Sequence, residues 1–160
     1  MKKSVLVTAA ISFMVMALIT LVFATTRGAF AQVQDDVTRL HVIDHSSREA
    51  FLDVPPAADS LGDQFYFNDP VFNASNTKQI GTDQGICFRM EVGKDYECHW
   101  TTYLPGGQLT VEGKFFDNLH DSVLAIIGGT GIYKEARGQM TLHARDPQGT
   151  QFDFLFEIKL

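Results

Sequence analysis

The C-terminal segment constrains the fold most. Phe152, Phe154, Phe156, Ile158 and Leu160 alternate with Asp153, Leu155, Glu157 and Lys159. A period of two places the two sets on opposite faces of extended chain, so the segment reads as a half-buried β-strand. The same period recurs upstream and predicts strands at Thr38–Asp44, Gln64–Asn68, Ile80–Val92, Tyr96–Leu104, Gln108–Phe115, Ser122–Ile127 and Gly138–Arg145. Turn residues separate them: Gly93-Lys94-Asp95, Pro105-Gly106-Gly107, Asp117-Asn118, Gly128-Gly129-Thr130-Gly131 and Asp146-Pro147-Gln148-Gly149. No stretch carries the period of a long amphipathic helix.

Eight short strands joined by tight turns suit an all-β fold, an eight-stranded antiparallel up-and-down β-barrel that leaves no exposed sheet edge. A two-sheet sandwich is the alternative. A barrel of this size can hold one small ligand. The chain has 13 phenylalanines; their rings either line such an interior or fill it, and composition does not choose.

The N-terminus has another character. Lys2 and Lys3 precede an uncharged apolar run from Val5 to Ala24, and Ala29-Phe30-Ala31 offers small residues where a signal peptidase reads. Residues 1–31 are therefore expected to be a signal peptide, cleaved after Ala31, with residues 32–160 as the single mature domain. An uncleaved membrane anchor is the other reading, since about twenty apolar residues can span a bilayer. Cleavage would remove Lys2, Lys3 and Arg27 and no acid, leaving ten basic against nineteen acidic residues, a formal charge of −9. Such a surface argues against nucleic acid and anionic membranes as partners. The expected location is secreted or periplasmic, with the membrane involved only in export.

Both cysteines, Cys87 and Cys98, lie in the mature part, on either side of the expected Gly93-Lys94-Asp95 hairpin. An exported chain with this spacing predicts a disulfide. It would close a ring of about ten residues and contribute about 2–3 kcal/mol. Alternation groups Cys87 with Arg89 and Glu91, opposite Ile86, Phe88 and Met90, which predicts that Cys87 faces outward. The histidines (His41, His45, His99, His120 and His143) have no recognised metal spacing. No metal or cofactor is expected. Asn73-Ala74-Ser75 is a glycosylation sequon if the source is a eukaryote.

The run Asp121-Ser122-Val123-Leu124-Ala125-Ile126-Ile127-Gly128-Gly129-Thr130-Gly131-Ile132-Tyr133, continuing to Ala136-Arg137-Gly138, resembles the signature of the allene oxide cyclase and dirigent superfamily. Gly85-Ile86-Cys87, Gln108-Leu109-Thr110-Val111-Glu112-Gly113, and Leu61-Gly62-Asp63 followed by Phe67-Asn68 and Phe72 add weaker matches. The resemblance spans about residues 37–160. Gly128, Gly129 and Gly131 read physically as a barrel corner, where positive φ or close backbone approach is needed. A phosphate-cradling loop is the competing idea, but no Lys-Ser/Thr and no helix follow.

The resemblance implies a barrel around an apolar cavity, commonly trimeric, so a homotrimer is an expectation. Cyclases of this family convert a fatty-acid epoxide to a cyclopentenone with a buried carboxylate. Dirigent proteins guide the stereochemistry of radical coupling or ring closure. The implied function is steering the cyclisation or coupling of an apolar or aromatic small molecule; a non-catalytic ligand-binding or structural barrel is the alternative. Alignment with the family's first strand puts Asp44 where cyclases carry Glu. Asp44 shares a strand face with Leu40 and Val42, so it is expected on the inner side, where burial would raise its pKa and let it donate a proton; otherwise it caps a turn with His45-Ser46-Ser47. Asn68 is the second candidate, matched with a register offset of one to a water-holding Asn; otherwise it is a turn residue beside Asp69-Pro70.

Overall fold

The computed structural model describes residues 36–160; the expected signal peptide lies outside the described residues. Nine strands follow one another: β1 (Thr38–His45), β2 (Glu49–Leu52), β3 (Gln64–Asn73), β4 (Gln79–Glu91), β5 (Asp95–Leu104), β6 (Gly107–Phe116), β7 (Ser122–Gly131), β8 (Arg137–Ala144) and β9 (Gln151–Lys159). Each of β3 to β9 pairs antiparallel with its sequence neighbour, and β1 pairs with both β9 and β3. Eight strands thus close an antiparallel barrel, which removes the two-sheet alternative. There is no helix among the described residues.

Strand β3 serves two partners. Its Val71–Asn73 end pairs with β1, while Gln64–Phe67 pairs with the short β2. Between the two, the chain breaks at residues 46–48, and its amides need acceptors. Asp69 supplies one: its Oδ1 accepts from the Ser47 and Arg48 N–H groups, both at 2.7 Å. Strand β2 escapes pattern reading because it is four residues long and exposed throughout, with Phe51 at 70%.

Two expectations need correction. The Gly128–Gly131 segment is no turn between strands: β7 runs through it to Gly131, with a bulge where Thr110 pairs with Gly128 and Val111 with Ile126. Glycine is required there for close approach, since a Cβ on Gly131, whose φ is +62°, would stand 1.9 Å from the Gly106 carbonyl oxygen. Strand β3 also extends beyond Asn68, past Asp69-Pro70, to Asn73.

The interior has two halves, and β9 shows the division. Phe156 and Ile158 are buried in a solid core with Val111, Leu124, Ile126 and Met140, whereas Phe152 and Phe154 border open space. The phenylalanines therefore both fill and line the interior.

Candidate functional site

Cross-strand register stacks the inward side chains of β3, β4 and β5 in rows. Three successive rows run inward from the rim: Phe65, Cys87 and Cys98, then Phe67, Gly85 and Trp100, then Asp69, Asp83 and Thr102. Gly85 makes room for the aromatic rings: a Cβ there would lie 2.3 Å from that of Trp100. Phe67 and Trp100 meet edge-on with centroids 5.8 Å apart, and Trp100 lies 5.6 Å from Phe154.

Phe65, Phe67, Asp69, Cys87, Cys98, Trp100 and Phe154 border an inner chamber with a cavity volume of about 40 Å³. It leads to an outer chamber of about 240 Å³, and the two share Glu49, Phe65, Phe115, Leu142 and Phe152. The outer chamber is rimmed by the β6–β7 loop, which carries Asp117, Leu119 and His120. Arg89 ties this rim together. Its Nε lies 2.7 Å from Asp59 Oδ1, its Nη2 donates to the Tyr96 hydroxyl at 2.6 Å, and its Nη1 pairs with Asp117. Two hydrogen-bond acceptors and the charge of Asp59 explain why an arginine can sit, almost fully buried, on the inward side of β4.

The inward placement of Arg89 carries Cys87 with it. The expectation that Cys87 faces outward is overturned: Ile86, Phe88 and Met90 take the outer face, and Cys87 is buried beside the inner chamber. The error came from assigning the apolar set to the core, although a barrel exterior also carries apolar residues. Cys87 and Cys98 stand directly opposite, Cα to Cα 4.0 Å, and are joined in a disulfide, so no thiol faces the chamber.

Asp44, at the end of β1, is only 5% exposed and lines the inner chamber. Asp69 and Asp83 join it, and one carboxylate oxygen from each lies within 4.8 Å of the others. Asp44 Oδ1 has no hydrogen-bond partner, and the side chain that meets the Asp83 carboxyl is that of Asp44. Burial pushes the Asp44 carboxyl well above the usual carboxylate range, and the charges of Asp83, Asp69 and Glu49 add to the effect. Asp83 is pushed up as well, first by burial and then by Asp69. The contact between Asp44 and Asp83 favours a proton on Asp44, which donates it to Asp83. The cluster can therefore hold and deliver a proton inside an aromatic chamber. As an all-oxygen set it also has the donor type that hard divalent cations take.

Asn68 does not join this site. It is exposed on the outer face of β3, and alternation brings its neighbour Asp69 inward instead. Asp69 and Asp83 were missed by sequence reading. The family's offset of one at Asn68 was the available clue to Asp69; nothing local distinguished Asp83, whose role depends on pairing with β3 and β5.

The allene oxide cyclase family matches residues 31–148. Among solved structures, a pyocyanin demethylase aligns with a TM-score of 0.65 at 24% identity, covering 74% of this chain and 100% of that one. A pterocarpan synthase dirigent protein aligns at 0.67 and 18% identity, covering 79% and 97%. An exo-specific intermolecular Diels-Alderase aligns at 0.62 and 13%, covering 77% and 98%. At these identities the structural likeness speaks for the shared barrel. Since the family match takes in most of the chain and every strand up to β8, this protein belongs to the allene oxide cyclase family.

Proposed function

We propose that the barrel takes up an apolar or aromatic small molecule through the rim between Phe116 and Phe152 and steers its cyclisation or coupling. Asp44 serves as proton donor at the inner end. The observation that carries this reading is a buried carboxyl, favoured in its protonated form, facing a chamber walled by Phe65, Phe67, Trp100 and Phe154. Aromatic walls hold the ligand by contact area and ring geometry and keep bulk water out. A flexible or reactive substrate held there in one folded conformation brings its reacting ends together, which is where most of the gain in such a reaction arises. Asp44 then protonates an oxygen that becomes anionic as the bond forms, and Asp83 holds that proton in place beforehand.

The family match and the activities named for the structural neighbours, a dirigent pterocarpan synthase and a Diels-Alderase among them, support ring-forming chemistry. The disulfide supports an oxidising compartment outside the cytoplasm. A purely structural barrel has less support, because an ionisable side chain lines the cavity. The test is an Asp44→Asn variant assayed on a panel of allylic epoxides and phenolic quinone methides, with products resolved by chiral chromatography. The expected loss of rate is about 10²–10⁴-fold, the usual worth of a positioned acid, with ligand affinity kept within about threefold. Unchanged rate and enantiomeric ratio would remove Asp44 from the chemistry.

A further inference from the structure

The electrostatics of the chamber select among ligands of the same shape. Asp44, Asp69 and Glu49 line the inner chamber, Asp83 stands behind them, and no Lys, Arg or His is among its lining residues. The nearest buried cation, Arg89, is already engaged by Asp59 and Asp117. Most of the remaining wall is aromatic, the rings of Phe65, Phe67, Trp100, Phe115, Phe152 and Phe154, completed by Ser46, Leu142 and the disulfide. Faces of such rings carry negative potential and attract cations, most strongly where water is excluded. The charges of Asp69 and Glu49, the open oxygen of Asp44 and the aromatic faces thus act with the same sign on whatever enters.

One further group points to a ligand rather than to a self-contained ion network. Asp44 Oδ1, on a side chain 5% exposed, lies in the chamber wall without a hydrogen-bond partner. Leaving a buried polar atom unmatched is costly, so this oxygen is an offer to a partner that the barrel itself does not supply. An inorganic cation would meet the carboxylates but leave the rings unused.

We propose that the preferred ligand is an apolar organic cation: an aromatic or alicyclic body carrying an ammonium, iminium or N-alkylated heteroaromatic nitrogen. The body lies in the outer chamber with one end between the inner rings, and the positive nitrogen turns to Asp69 and Glu49. The same field disfavours carboxylates, including free fatty acids. This assignment rests on the proposed binding of an apolar molecule in the barrel and narrows its chemistry.

The test uses one ring system in three charge states: 1-naphthylmethylammonium, 1-naphthylmethanol and 1-naphthoate. Trp100 is the single tryptophan, so its indole N–H cross-peak in a ¹⁵N-correlated spectrum reports binding in the chamber and ignores ions held at the surface. The ammonium is expected to move that peak with at least about tenfold higher affinity than the alcohol, and the alcohol to bind about tenfold more tightly than the naphthoate. Asp69→Asn should cut the preference for ammonium over alcohol to below about threefold, and the exposed Glu49→Gln should lower it about twofold should Asp69→Asn fail to fold. Equal affinities, or a preference for the alcohol or the naphthoate, would overturn the charge assignment and leave the apolar-ligand reading standing. No movement with any of the three would overturn both. Displacement of the ammonium by about 10 mM calcium chloride would reassign the carboxylates to a metal and overturn the proposal.

Discussion

Asp83 is fully buried, and its side-chain partner is another carboxyl, that of Asp44. A carboxyl whose pKa is raised by folding holds a proton that the unfolded chain has released, so folding takes up protons. The contribution of Asp44 and Asp83 to stability is therefore fully present below about pH 4, the unfolded value, and is lost as pH rises through their raised folded values. Asp153, lowered by His41 and Arg145 despite partial burial, works the other way: its contribution is present above about pH 4 and lost as pH falls through its lower folded value. Stability should thus peak in mildly acidic solution. Asp83→Asn is expected to flatten the alkaline limb and to be more stable than the parent at about pH 8 by about 1–3 kcal/mol. Urea unfolding at a series of pH values measures this directly; a variant that loses stability at every pH would mean that Asp83 is an indispensable acceptor.

At the scale of the elements, two devices fasten the two ends of the barrel. The Cys87–Cys98 bridge joins β4 to β5 beside the chamber and spans a sequence separation of 11. The double Cys87→Ala, Cys98→Ala variant should lose about 2–3 kcal/mol on the loop-entropy estimate, read as a lower urea midpoint. The value should fall toward the lower end, because the hairpin already confines its own ends. At the end away from the rim, β7 passes its bulge and meets the β5–β6 turn, where Gly131 crowds the Gly106 carbonyl. Gly131→Ala combines a left-handed φ with a backbone clash and should cost about 2–4 kcal/mol. A variant matching the parent within about 0.5 kcal/mol would show that the turn relaxes freely.

At the scale of the whole molecule, the barrel is solid at one end and hollow at the other, and the Arg89 clamp spans the hollow end. It joins β4 to the β2–β3 loop through Asp59, to β5 through Tyr96 and to the β6–β7 loop through Asp117. Its Cζ also lies 3.7 Å from the Tyr96 ring centroid. Arg89→Met keeps the apolar stem but strands two acids, and should cost about 2–4 kcal/mol, less than a fully buried pair because Asp59 and Asp117 retain some solvent. Amide exchange should quicken in residues 53–63 and 117–121 while the β8 and β9 amides of the solid half stay protected. Uniformly faster exchange would show that the clamp supports the barrel as a whole and not its rim.

Much of this protein was legible in one dimension. A strand's side chains alternate by covalent geometry, so the period of two at Phe152–Leu160 and its repeats fixed the all-β class, and turn residues placed most strand ends. The same alternation put Asp44 beside Val42 on the inner face, and spacing paired Cys87 with Cys98. Which face is inner was harder: Cys87 and Arg89 turn inward because Asp59, Asp117 and Tyr96, from three other segments, satisfy the guanidinium. The carboxylate cluster was out of reach for the same reason. Asp44, Asp69 and Asp83 lie far apart along the chain and meet only when β1, β3 and β4 adopt their register, and only burial then shifts their protons. Alternation is a property of each strand alone; proximity and desolvation belong to the closed barrel.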